Sequence, residues 1–187
     1  MNRDGSQFNR RSVPLVLEGG DTSCFNLRTV PITIITVSGA HSGVGKTKVA
    51  EILLRALKGW DALKITVAHR KGECPVRKGC HTCDELDSGF SIVSNKRIIE
   101  SYGKDTARFK QAGAKKVLWL RSSPRALEKG VKEALSLFQG VKGLIIESNS
   151  ALKYLKPDLA ILVKRKDSIL KPSARQILER IDLTVEL

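Results

Sequence analysis

The sequence predicts a three-layer α/β domain in which a mostly parallel β-sheet lies between helices on both faces. Five short apolar segments rich in β-branched residues do not alternate with polar residues, which is typical of strands buried on both faces. These segments are residues 32–37, 64–68, 115–120, 143–147 and 158–163. Helical spacing appears between them, and strands that alternate with helices join through parallel crossovers.

Three helices are predicted between these strands. The apolar face of the first comprises Val49, Ile52, Leu53, Ala56 and Leu57. A short second helix over 105–112 starts at an acidic residue and ends at Gly113. The third follows the start signal Ser123-Pro124. Its apolar face comprises Ala126, Leu127, Val131, Ala134, Leu135 and Phe138.

Three stretches define the domain organisation. Residues 1–30 are polar and broken by Gly and Pro, and because they lack the apolar core of a secretory signal we expect an N-terminal arm or tail. The domain is expected over 31–187, since a chain of 187 residues favours one compact core. Within it, an insertion at about 69–103 carries Gly, Pro and Cys without a clear period, and connections of this length usually hold function.

Composition narrows the classes of function. No apolar run approaches the ~20 residues that cross a bilayer, so a membrane protein is not expected. The net charge of +14 attracts polyanions such as nucleotides, nucleic acids or acidic proteins. Aromatic residues make up 5% of the chain, which leaves little for stacking bases and disfavours nucleic-acid binding. The spacing of the four cysteines does not suggest paired disulfides and favours a reducing, cytoplasmic compartment.

The stretch SGAHSGVGKT, residues 38–47, lies between the first strand and the first helix. A phosphate bound there needs inward-facing backbone N–H groups and residues with free φ angles, which Gly43 and Gly45 supply. Lys46 is expected to contact the phosphates of GTP or ATP, and Thr47 to offer its hydroxyl to Mg²⁺. The spacing departs by one residue from GxxxxGK followed by Ser or Thr. The predicted nucleotide-binding residues are Ala40, His41, Ser42, Gly43, Val44, Gly45, Lys46, Thr47 and Lys48.

Nucleotide hydrolysis needs carboxylates that hold Mg²⁺ or orient the attacking water. Glu147 ends an apolar strand, where ligands collect in a parallel sheet, although a solvated strand end is the alternative. Asp105 either reaches the metal or caps the helix that it begins. With Lys46 these two form the predicted catalytic set.

Asp167 is a candidate for recognising the base of the nucleotide. It ends KRKD after the last strand, where guanine-reading proteins carry Asn-Lys-x-Asp, and a chance match is the alternative.

A second candidate site is the segment CPVRKGCHTC. Cys74, Cys80, Cys83 and His81 supply thiolate and imidazole ligands of the kind that hold Zn²⁺ or an iron–sulfur cluster. Three unligated cysteines in an exposed loop are the alternative. We expect metal, because exposed free thiols are reactive.

Two segments carry a resemblance to known families. The stretch GAHSGVGKTKVAEILLRAL resembles the phosphate loop and first helix of dethiobiotin synthetase. A strand ending in His69, followed by GKDTARFKQAGAKKVLWL at 103–120, resembles the molybdopterin-guanine dinucleotide biosynthesis protein B family. The likeness covers about residues 32–164. It implies a P-loop NTPase fold and a dimer that binds GTP with Mg²⁺ and assists attachment of a nucleotide to molybdopterin. The chain departs from that family at Ala68, Thr106 and residues 147–150.

The expected function is therefore binding and slow hydrolysis of a nucleoside triphosphate, GTP favoured, by a homodimeric adapter in molybdenum-cofactor biosynthesis. Its partner would be molybdopterin or a cofactor-biosynthesis protein. One alternative is an ATP-dependent ligase resembling dethiobiotin synthetase, which needs a lysine on the second strand, where Arg70 and Lys71 suit only loosely. Another is a metal-binding NTPase of a different pathway, and a third is a nucleic-acid-binding module.

Overall fold

The computed structural model describes residues 32–68 and 89–187, whose strands form one seven-stranded sheet. The strands are β1 (Thr33–Gly39), β2 (Asp61–Val67), β3 (Phe90–Val93), β4 (Val117–Ser122), β5 (Gly143–Glu147), β6 (Leu159–Lys164) and β7 (Leu183–Glu186). Their order in the sheet is β3-β4-β2-β5-β1-β6-β7. The pair β3–β4 is antiparallel and the other neighbours are parallel, so the predicted mostly parallel sheet is confirmed.

Helices cover both faces of this sheet, which makes three layers. They are α1 (Lys46–Ala56), α2 (Lys96–Ile99), α3 (Asp105–Gln111), α4 (Leu127–Ser136) and α5 (Pro172–Arg175), with 3-10 turns at Ser150–Lys153 and Leu178–Arg180. Leu54 of α1 and Phe109 of α3 belong to the core on one face. Val131 and Phe138, in and just after α4, belong to the core on the other face. None of the helices in the described part of the chain is long and apolar enough to cross a membrane.

The strand register decides which side chains meet at the carboxyl edge of the sheet. Successive residues of a strand face opposite sides. Leu63 and Ile65 of β2 pack in the α4 core, so Lys64 between them faces α1 and α3. Lys64 is paired directly with Glu147 of the neighbouring strand β5, and Glu147 in turn with Val37 of β1. Two charged residues are therefore brought side by side beneath α1.

Four short elements differ from the sequence prediction. Strand β3 and helix α2 lie in the part of 69–103 that showed no clear period, and α5 and β7 follow the last predicted strand. Each has only four residues, too few for a recognisable period. Helix α2 is nonetheless capped, because the Asn95 side chain accepts a hydrogen bond from the N–H of Arg97 at 2.9 Å.

The helix predictions need smaller corrections. Helix α1 buries Val49, Ala50 and Leu54, whereas Ile52 is 55% exposed and Ala56 is also exposed. The helix is therefore rotated by about one residue from the predicted face. Helix α4 begins only at Leu127, after a turn in which the Ala126 N–H donates to Ser123 Oγ at 3.3 Å. Helix α3 ends before Gly113, whose φ of +102° fits the predicted glycine stop.

Candidate functional site

The turn between β1 and α1 is shaped by two glycines. Gly43 has φ +72° and Gly45 has φ +110°, a region that side-chain-bearing L residues rarely adopt. A Cβ on Gly45 would also lie 2.5 Å from Leu187 Cδ1. Gly45 is the N-cap of α1 and has no side chain to satisfy the first-turn N–H groups, which have no partner within a helix. The turn therefore directs backbone donors and the positive end of the helix dipole at the same place.

Hydrogen bonds from neighbouring strand ends hold this turn in position. The Asn149 side-chain amide accepts from the Gly39 N–H and donates to the Gly39 carbonyl, each at 2.9 Å. The Ala40 N–H donates to the Val163 carbonyl, and the Lys171 N–H donates to the Ala40 carbonyl, both at 2.9 Å. The segment 147–150, which departs from the resembling family, thus includes an asparagine that anchors the start of the turn.

Lys46, the first residue of α1, lies across the end of β1. A Cβ on Gly39 would be 2.6 Å from Lys46 Cγ, so the glycine makes room for the lysine stem. Burial lowers the pKa of Lys46, and Lys64 lowers it further, while Glu147 partly offsets both. Because burial destabilises the charged form of Lys46, a nearby anion would stabilise it.

Two carboxylates and one hydroxyl meet beside Lys46. Thr47 Oγ1 donates to Glu147 Oε2 at 2.9 Å. Lys64 Nζ donates to Glu147 Oε1 at 3.1 Å and pairs with Asp105 Oδ2. Glu147 is 5% exposed, which excludes a solvated strand end. Asp105 starts α3 but turns its carboxylate toward β2. The structure therefore brings Thr47, Asp105 and Glu147 together around Lys64.

Two lysines of this site were missed by the sequence analysis. The sequence prediction includes Lys64 in an apolar strand, yet a charged residue between the apolar Leu63 and Ile65 is itself a signal for a buried partner. Burial alone would lower the pKa of Lys64, but Glu147 and Asp105 outweigh it and the pKa is raised. Lys171 precedes α5, and burial followed by the nearby Lys46 charge lowers its pKa.

The charges of the site explain the direction of these shifts. Three ammonium groups, those of Lys46, Lys64 and Lys171, interact with two carboxylates. Burial alone would raise the pKa of Asp105, but its ion pair with Lys64 lowers it. The surplus of positive charge beside a helix N-terminus favours a bound anion.

The oxygen ligands at the site fit Mg²⁺, which is bound in proteins by one or two carboxylates, substrate phosphates and water. Glu147 and Asp105 supply two carboxylates that are bridged by Lys64, and the Thr47 hydroxyl donates to Glu147. Among the described residues, no three His, Cys, Asp or Glu side chains group as a preformed metal centre.

The remaining predicted residues lie around this centre or outside the description. His41 is half-buried and its Nδ1 donates to the Ser42 carbonyl at 2.7 Å, which occupies that ring nitrogen within the turn. Lys48 is exposed on α1, and Asp167 is exposed in the β6–α5 connection that also carries Lys171. The predicted metal ligands Cys74, Cys80, Cys83 and His81 lie outside the described residues.

Comparisons with known proteins add no information about this site. No protein-family model matches the chain, and neither the curated proteins nor the solved structures give a significant match.

Proposed function

We propose that the protein binds a nucleoside triphosphate with Mg²⁺ at the 40–45 turn, GTP favoured, and hydrolyses it slowly. The observation that carries this proposal is the convergence at the carboxyl end of β1. There a glycine-shaped turn, the N-terminus of an 11-residue helix and Lys46 lie next to Thr47 and Glu147. In an open parallel sheet this edge is where ligands bind.

Each residue of the centre has a distinct part in the proposed reaction. The backbone N–H groups of residues 43–47 bind the phosphates, and the Lys46 ammonium neutralises their charge. Thr47 and the buried Glu147 hold Mg²⁺, which when bound neutralises the charge that develops on the transferred phosphoryl group. Asp105 would be the second carboxylate of the metal site, and because it is 34% exposed it is also accessible to the attacking water that it would orient. Because Asp105 is the only carboxylate assigned to the attacking water, we expect hydrolysis to be slow.

The choice of base and the biological role are further parts of the proposal. GTP is favoured by Asp167, which follows β6 at the position of the aspartate in guanine-reading loops. The role as a homodimeric adapter acting on molybdopterin or with a cofactor-biosynthesis protein is supported by the resemblance of residues 103–120. The thiol and imidazole ligands at 74–83 are proposed to hold Zn²⁺ or an iron–sulfur cluster, which metal analysis and an absorption spectrum of the purified protein would test.

Isothermal titration with GTP and with ATP, each with Mg²⁺, tests nucleotide binding. Lys46→Ala is expected to weaken binding at least about 100-fold, because the phosphates lose a desolvated charge-assisted partner. Lys129→Ala is the matched control, since Lys129 is an exposed lysine on α4, on the opposite face of the sheet. Equal affinities for the wild type and Lys46→Ala, with both folded by circular dichroism, would overturn the proposal.

A second candidate, the ATP-dependent ligase, gains one observation. The ligase chemistry needs a lysine on the second strand, and Lys64 lies on β2 beside the 40–45 turn. Turnover of diaminopelargonate with bicarbonate and ATP would support this candidate. Nucleotide binding without such turnover would favour the adapter instead.

A further inference from the structure

The ammonium of Lys64 lies between the two carboxylates of the site. Its Nζ is 3.1 Å from Glu147 Oε1 and also pairs with Asp105 Oδ2, while the Thr47 hydroxyl donates to Glu147 Oε2 at 2.9 Å. The ammonium is therefore held by carboxylate oxygens from two separate elements, β5 and the start of α3, and the Thr47 hydroxyl of α1 binds the far oxygen of Glu147. A cation in an all-oxygen surrounding is the arrangement that proteins also use for hard divalent metals.

Lys64 is the cation that contacts both carboxylates, and Arg108 Nη1 lies farther away, 3.9 Å from Asp105 Oδ1. The Glu147 side chain is 5% exposed and the Lys64 side chain 19% exposed, so water screens the pair weakly. Two carboxylates that share a site do not both stay ionised unless a positive charge lies between them. The register of β2 and β5 pairs Lys64 directly with Glu147, which places the stem of the lysine next to the carboxylate.

We propose that Lys64 stands in for the divalent cation when no nucleotide is bound, and that it must leave the carboxylates before Mg²⁺ can take them. A doubly charged ion and an ammonium cannot both lie between Asp105 and Glu147, because like charges at this distance repel strongly in a buried site. The nucleotide-free protein therefore excludes free divalent cations. This part of the proposal needs only the residues of the chain.

A second step rests on the proposed function. When the metal arrives with a triphosphate, the displaced Lys64 ammonium moves toward the new negative charge next to Lys46, whose pKa already responds to Lys64. Mg²⁺ and nucleotide then bind only together, so the protein does not hold the metal alone. The lysine makes divalent-cation binding conditional on the phosphate ligand.

Titration of Mn²⁺ into the nucleotide-free protein, followed by electron paramagnetic resonance of the free ion, tests the first step. Lys64→Met removes the ammonium and keeps a long side chain, so Mn²⁺ binding is expected to tighten tenfold or more over the wild type. Lys64→Arg is the matched control and should bind Mn²⁺ as weakly as the wild type. The double variant Lys64→Met with Glu147→Gln should lose the gain, which assigns the bound ion to this pair of carboxylates.

The outcomes separate this inference from the nucleotide-binding proposal. Mn²⁺ binding that is equal in the wild type and Lys64→Met overturns the stand-in role, whatever the nucleotide titrations show. Tighter Mn²⁺ binding by Lys64→Met in a protein that binds no nucleotide supports the stand-in role and rejects the proposed function. If Lys64→Met does not fold, Lys64→Gln replaces it in the same titration, because the glutamine amide is also uncharged. The same two results then support or overturn the stand-in role.

Discussion

The two faces of the sheet use the same strands for different purposes. On the α4 face, Leu63, Ile146 and Phe138 pack in an apolar core. On the α1 and α3 face, the residues next to them in sequence, Lys64 and Glu147, form an ion pair at the carboxyl edge. Strand alternation therefore places a charged centre one residue away from the core that supports it.

This difference separates stability from ligand binding. Apolar burial on the α4 face contributes to folding and touches none of the charged residues of the site. The charged centre holds three ammonium groups in a partly desolvated place, which costs free energy unless an anion joins them. Substitutions on the two faces should thus affect different measurements.

The largest effect on stability is expected on the α4 face. Phe138→Ala removes a fully buried ring from the core and should lower the free energy of unfolding by about 3–5 kcal/mol. Chemical denaturation measures this loss. Nucleotide affinity, measured below the unfolding transition, should stay unchanged, and a parallel fall in affinity would show that the two faces are not independent.

A substitution at Gly39 is expected to have a smaller effect on stability and also to lower nucleotide affinity. Gly39→Ala places a Cβ 2.6 Å from Lys46 Cγ and 2.7 Å from Val44 Cγ1, so it should cost about 1–3 kcal/mol of stability. Because Lys46 must move, nucleotide affinity should fall about tenfold or more. Gly89→Ala is the matched control, since a Cβ there meets no atom within 4 Å. Unchanged nucleotide affinity in Gly39→Ala would show that binding does not depend on the position of Lys46.

The smallest effect depends on pH. The pKa of Asp105 is lower in the folded than in the unfolded chain, so its ion pair stabilises the fold above the ordinary carboxyl range near pH 4. Asp105→Asn should cost about 1 kcal/mol at neutral pH, a low value because the carboxylate is a third exposed. The difference in unfolding free energy between wild type and variant should shrink as pH falls below about 4. A difference that stays constant down to pH 2 would contradict the pairing with Lys64.

Much of the fold followed from local signals. The long buried strands and the amphipathic helices α1 and α4 each carry a period that a sequence reveals, whereas β3, α2, α5 and β7 are too short to carry one. Helix α1 was placed correctly but its buried face was shifted, because Ile52 is apolar and yet exposed. An apolar residue on a surface is common and leaves no mark in the sequence.

The candidate site was predictable only where a residue's own position carried the signal. Thr47 follows the lysine, Glu147 ends a strand and Asp105 starts a helix, and the structure brings all three together. The partners of Lys64 and Asn149 could not be predicted, because they depend on which strands are neighbours in the sheet. The order β2-β5-β1 is a non-local property, and it sets both the Lys64–Glu147 pair and the Asn149–Gly39 hydrogen bonds.

Phosphate binding by the 40–45 turn is tested most directly by following the backbone N–H resonances of the turn while GTP and Mg²⁺ are added. If the turn wraps the phosphates, the amide signals of Gly43, Gly45 and Lys46 should shift strongly and saturate together. Amides of α4 on the opposite face should shift little. Saturable nucleotide binding that leaves the three turn amides unmoved, or no binding at all, would contradict the assignment of this turn as the phosphate site.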